Sequence, residues 1–77
     1  MASKDKYFSV VKDVAGKYGI SLSSDSESRI KSFYGSDVEG MVKSAIQELR
    51  DRAIETGVKF DEGDERYAEK EIRNRIK

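Results

Sequence analysis

Asp61, Glu62, Asp64 and Glu65 crowd around Gly63, and this is the stretch of the chain dense enough in hard oxygen ligands to raise calcium chemistry. The register does not fit that chemistry. A calcium loop beginning at Asp61 needs a closing glutamate where Ile72 stands, an oxygen donor where Gly63 stands and a glycine where Arg66 stands. The cluster is better explained as an acidic helix start that complements the helix dipole, and no metal is expected. A second set of carboxylates, Asp37, Glu39, Glu48, Asp51 and Glu55, could in principle supply an acid–base pair. Their spacing along one helix reads instead as solvated surface. The serines have no histidine to activate them, and cysteine is absent as well, so no nucleophile is assembled. The glycines form neither a dinucleotide fingerprint nor a phosphate loop. The chain is therefore expected to have no catalytic residue and no cofactor, and not to be an enzyme.

Seventy-seven residues make a single helical domain, 1–77, with no room for a second core. Fifteen basic residues balance fifteen acidic ones, which removes the non-specific pull on nucleic acid that a basic protein exerts. Charged residues are 39% of the chain and hydrophobic ones 36%, too charged for a membrane span and apolar enough to fold. No long apolar run follows Met1, so the expected location is cytoplasmic and no membrane partner is expected. Ordering so short a chain costs about 1.5 kcal/mol per residue, close to what its core returns, so a partner or a homodimer would add much.

The elements follow from periodicity and caps. Tyr7, Val10, Val11, Val14, Ala15 and Tyr18 recur at helical spacing, with Ser3 as N-cap and Gly19 as a left-handed stop, predicting a helix over 4–18. Ile20 to Ser23 reads as an extended connector that tucks Ile20 and Leu22 inward. Ser24 to Glu27 spells a capping box and starts a short helix, 25–34, carrying Ile30, Phe33 and Tyr34. Gly35 breaks it, and Ser36 to Glu39 spells a second box for a central helix over 37–56. That helix buries Val38, Met41, Val42, Ala45, Ile46, Leu49 and Ala53, with Glu39–Lys43 and Glu48–Arg52 as outward pairs. Gly57 caps its end. A fourth helix, 62–76, shows only a thin stripe of Tyr67, Ala68, Ile72 and Ile76, with Glu69–Arg73 and Glu71–Arg75 as local pairs, and is expected to dock loosely or to await a partner. The fold class is all-α, a small bundle of about four helices.

Two other arrangements are open. The short helix, Gly35 and the central helix have the order of a helix-turn-helix, but Lys31 fills a place usually held by a small residue, and Asp37 and Glu39 would face phosphates. If Gly35 were absorbed, a helix from about Asp25 to Thr56 flanked by shorter ones would result, an outline over residues 7–76 that resembles a histone fold. That resemblance implies an intertwined dimer.

Function is expected to lie in a surface rather than in a catalytic centre. The favoured reading is a small adaptor, inhibitor or regulatory protein that binds another protein, or itself, through Tyr67, Ile72, Arg73, Arg75 and Ile76, an aromatic, apolar and arginine set on the last helix. The alternative is a nucleic-acid-associated regulator in which Lys4, Lys6, Lys12 and Lys17 converge with Arg73 and Arg75. Tyr7 and Phe8 are adjacent and cannot share one face, so Phe8 is expected to fold over the core edge beside Val11.

Overall fold

The computed structural model describes residues 2–35 and 37–77 as four helices, α1 (Lys4–Lys17), α2 (Ser24–Ser32), α3 (Val38–Thr56) and α4 (Glu62–Ile76). Each begins where a short polar side chain can take up an orphan backbone N–H. Ser3 Oγ accepts from Lys6 N and Asp37 from Gly40 N, while Asp61 and Asp64 cap one another's backbone in a reciprocal box. At α2 the cap is Ser23, accepting from Ser26 N, one residue earlier than the Ser24 box anticipates. Glu27, the other half of that expected box, pairs with Lys31 instead. Ser36 lies outside the described residues, and Asp37 is the N-cap of α3.

Helix ends follow the glycines. Gly19 and Gly57 take left-handed φ of 72° and 73°, and the next residue turns back so that Ile20 N and Val58 N donate to Ala15 O and Ala53 O, both at 2.9 Å. This return buries Ile20. Gly35 has a φ of 101°, which a helix cannot contain, so α2 and α3 are separate elements. That break corrects the histone-like alternative, whose long continuous helix does not form.

The helices pack in a ring: α1 on α2, α2 on α3, α3 on α4 and α4 on α1. Cross-helix pairs fall with opposed numbering, Asp13 with Arg75 and Lys17 with Glu71, Glu39 with Arg73 and Arg50 with Glu65, so α4 runs antiparallel to both neighbours. The core draws on all four: Tyr7, Val10, Val11 and Val14 from α1, Ile30 from α2, Met41, Val42, Ala45, Ile46, Leu49 and Ala53 from α3, and Ala68, Ile72 and Ile76 from α4. Phe8 is partly buried against its edge, beneath the Lys31 ammonium. Tyr7 is fully buried, and its hydroxyl donates to Met41 O at 2.8 Å, satisfying the one polar atom on that ring.

The chain ends are tied together. Ala2 N donates to Ile76 O at 3.0 Å, and the Tyr34 hydroxyl donates to Ala2 O at 2.8 Å, fixing the start of the chain between the α2–α3 turn and the end of α4. This contact and the three fully buried residues of α4 correct the expectation of a loosely docked last helix. Its stripe is narrow but continuous, since positions 68, 72 and 76 repeat every fourth residue and face one seam.

Candidate functional site

Of the residues expected to form a protein-binding set, Tyr67 and Arg75 come together in the lining of one hollow, and the other three lie apart from it. Ile72 and Ile76 are 0% exposed and belong to the core, so they are corrected out of any docking face. Arg73 is bidentate to Glu39 across the α3 seam, at 2.5 and 3.0 Å, in place of the expected local pair with Glu69. Arg75 keeps its local partner Glu71 at 3.0 Å and adds Asp13 of α1 at 3.1 Å. Only Tyr67 of the five stands free, with 74% of its surface exposed.

The basic set expected for nucleic acid is divided in the same way. Lys17 lies 2.6 Å from Glu71, and Arg73 and Arg75 are committed to the carboxylates just named. Lys4, Lys6 and Lys12 are exposed on α1 with acidic Asp5 and Asp13 among them. The six do not converge as one positive surface.

These ion pairs do something else: they seam α4 into the bundle from both flanks. Glu39–Arg73 and Arg50–Glu65 join it to α3, while Asp13–Arg75 and Lys17–Glu71 join it to α1. The cations hold Glu39, Glu65 and Glu71 below the ordinary carboxylate value, chiefly through hydrogen bonds from Arg73, Arg50 and Lys17. With the flanks neutralised and the inner seam apolar, the outward face of α4 is left to other residues. From Gly63 onward its exposed positions are Gly63, Arg66, Tyr67, Lys70, Asn74 and the terminal Lys77. None is a carboxylate, although the helix as a whole carries as many acids as any in the chain. Among the described residues neither Arg66 nor Lys70 makes an ion pair.

Tyr67 and Lys70 stand as a ridge between two open hollows. One, of about 290 Å³, is lined by Gly63, Arg66, Tyr67 and Lys70. The other, of about 450 Å³, runs from Tyr67, Lys70 and Asn74 to Tyr18 at the end of α1. Tyr18 is held there by an edge-on contact with Phe60 of the α3–α4 link, ring centres 5.3 Å apart. Burial, with the charges of Asp64 and Glu71 nearby, pushes its phenol above the ordinary value. The hollow thus has two aromatic walls and a free ammonium, with the Glu71–Arg75 ion pair also in its lining. The sequence places Tyr18 on the apolar face of the first helix, and Arg66 and Lys70 only in the basic excess of the last helix, outside the expected binding set. The exposed half of α4 repeats at positions 63, 66, 67, 70 and 74, a second helical stripe that was visible beside the apolar one.

A further groove of about 370 Å³ lies between α2 and α3, lined by Arg29, Phe33, Lys43, Ser44, Gln47, Glu48 and Asp51. Its Glu48 is 5% exposed and bonded to Arg29, where the sequence suggested a surface pair with Arg52. Arg52 instead donates to Ser21 O at 2.7 Å and pairs with Glu55. Among the described residues, no three His, Cys, Asp or Glu side chains come together as a metal-ion site, and no helix is long and apolar enough to cross a membrane. No family model matches the chain, and no curated protein or solved structure matches it either.

Proposed function

We propose that this chain is a small non-enzymatic binding protein, an adaptor, inhibitor or regulator, that works by presenting the outward face of α4 to another protein. The observation that carries this reading is Tyr67: a large aromatic side chain 74% exposed, set between two hollows and flanked by cations that have no internal partner. Folding does not use these groups, whereas aromatic and arginine side chains dominate binding energy at protein interfaces. The rest of α4 supports the same reading by fixing the ridge. Its inner face is fully buried and its flanks are ion-paired, so Tyr67 is displayed on a rigid element that loses little entropy when it docks.

Photo-crosslinking in cells that make the protein tests it. A benzophenone amino acid placed at Tyr67 or Lys70 is expected to give discrete protein adducts. The same group at Ile54, equally exposed on α3 but outside both hollows, is expected to give none. Adducts of equal pattern at all three positions, or adducts to nucleic acid alone, would overturn the reading.

A further inference from the structure

The outward face of α4 also says what kind of partner suits it. We infer that its occupant is an acidic amphipathic helix from another protein, which seats an apolar side chain in the hollow between Tyr18 and Tyr67 and sets carboxylates against Lys70 and Arg66. This rests on the reading of α4 as the binding face.

Three observations lead there. Past the exposed Glu62 that opens α4, the exposed positions from Gly63 to Lys77 contain Arg66, Lys70 and Lys77 and no acid, so this part of the strip is positive although the chain is neutral overall. Arg66 and Lys70 are one helical turn apart with Tyr67 beside them, a spacing that matches carboxylates one turn apart on a facing helix. The hollow of about 450 Å³ is open to solvent along α4 and has room for a leucine- or phenylalanine-sized anchor against two tyrosine rings.

The edges of the strip narrow the choice of partner. Glu62, Glu65 and Glu69 line the next hollow together with Arg66, and Glu71 lies on the α1 side. A nucleic-acid backbone, with a phosphate at every step, would run onto these carboxylates; a helix that carries only a few acids on one side avoids them. The strip is therefore suited to discrete carboxylates and not to a continuous polyanion. Lys70, shared by both hollows and absent from the acidic one that Arg66 lines with Glu62, Glu65 and Glu69, is the principal cation.

The test is a selection of helical peptides displayed on phage, with the full chain as bait and Tyr67→Ala as counter-bait. Selected peptides are expected to carry Asp or Glu beside an apolar residue. Their affinity should fall at least about tenfold on Lys70→Glu, and should return when the peptide acid is changed to Lys. Binding should weaken as salt is raised. Uncharged peptides that still depend on Tyr67 would overturn the acidic partner while leaving α4 as the binding face. An absence of any peptide sensitive to Tyr67 or Lys70 would overturn the partner class; whether α4 binds protein at all is read separately by the crosslinks. Retention of an oligonucleotide by wild type and not by Lys70→Glu, or a concentration-dependent mass increase abolished by Tyr67→Ala, would replace the inference with nucleic acid or a second copy respectively.

Discussion

The Glu48 carboxylate on α3, 5% exposed, is held by the guanidinium of Arg29 on α2, whose own side chain remains about half in solvent. This is the buried charge that ties α2 to the central helix. Such a pair costs desolvation that its attraction only partly returns, so the two ways of removing it differ. Arg29→Ala leaves a buried carboxylate without its partner and is expected to lower the urea midpoint clearly. Arg29→Ala combined with Glu48→Met replaces the ion by an apolar chain of similar length, and is expected to recover most of the loss. A double variant no more stable than Arg29→Ala alone would mean that Glu48 is not the group Arg29 supports.

On α4, Ile72 and Tyr67 separate stability from binding. Ile72 is fully buried, so Ile72→Ala opens a cavity costing about 2 to 5 kcal/mol. A chain of this size has roughly 4 to 12 kcal/mol in all, so the variant is expected to lose much of its helicity on mild heating. Tyr67→Ala lies on the outer face and should stay within about 0.5 kcal/mol of wild type. Circular dichroism during thermal melting checks both. A large loss at Tyr67 would give that ring a structural role.

Which parts of this were legible in the sequence depends on how local their cause is. Caps and stops act within one turn, so Ser3, Gly19 and Gly57 could be identified from neighbours in the chain, and the break at Gly35 with them, whereas the cap of α2 falls at Ser23, one residue before the expected Ser24. Charge pairs were legible only where both partners lie on one helix and no better one faces them. Glu71–Arg75 survives, but Glu39, Glu48 and Arg73 each turn to a partner on another helix, which a helical spacing rule cannot see. The face of α4 was misjudged for a related reason. Tyr67 was counted in the apolar stripe by its side chain, yet it lies one residue, about 100° of helical rotation, from Ala68, which is the actual inner position. Once Ala68, Ile72 and Ile76 are recognised as the seam, the opposite stripe of Arg66, Tyr67 and Lys70 follows from geometry alone.

The four ion pairs along α4 predict how the protein responds to acid. Hydrogen bonds from Arg73, Arg50 and Lys17 hold Glu39, Glu65 and Glu71 below the ordinary value of 4.5, so the folded state resists protonation that the unfolded chain accepts. As pH falls through about 4.5 the unfolded state binds more protons and is favoured. The contribution of these carboxylates is complete above that pH and is lost as pH drops through their lower folded values. Amide exchange at about pH 3 against neutral pH should therefore show α4 losing protection before the middle of α3. Raised salt at neutral pH should weaken the same seams, since most of these groups are partly exposed. Equal loss of protection in both helices would show that the pairs do not anchor α4.

Tyr7 predicts the alkaline limb. Its ring is fully buried, its hydroxyl donates to Met41 O, and burial raises its phenol far above the ordinary tyrosine value of 10.0. The folded state thus keeps the proton after the unfolded chain has released it. The stabilisation from the buried phenol is fully present below pH 10.0 and falls as pH rises beyond it, by up to about 1.4 kcal/mol per pH unit. Tyr7→Phe gives up the hydrogen bond, about 1 kcal/mol at neutral pH, but has no proton to lose. Urea midpoints measured as a function of pH should show wild type ahead at neutrality, the gap closing between about pH 10 and 11, and Tyr7→Phe the more stable above that. Curves that stay parallel across this range would mean that the Tyr7 hydroxyl is free to ionise in the folded protein, and that its bond to Met41 does not hold the proton in place.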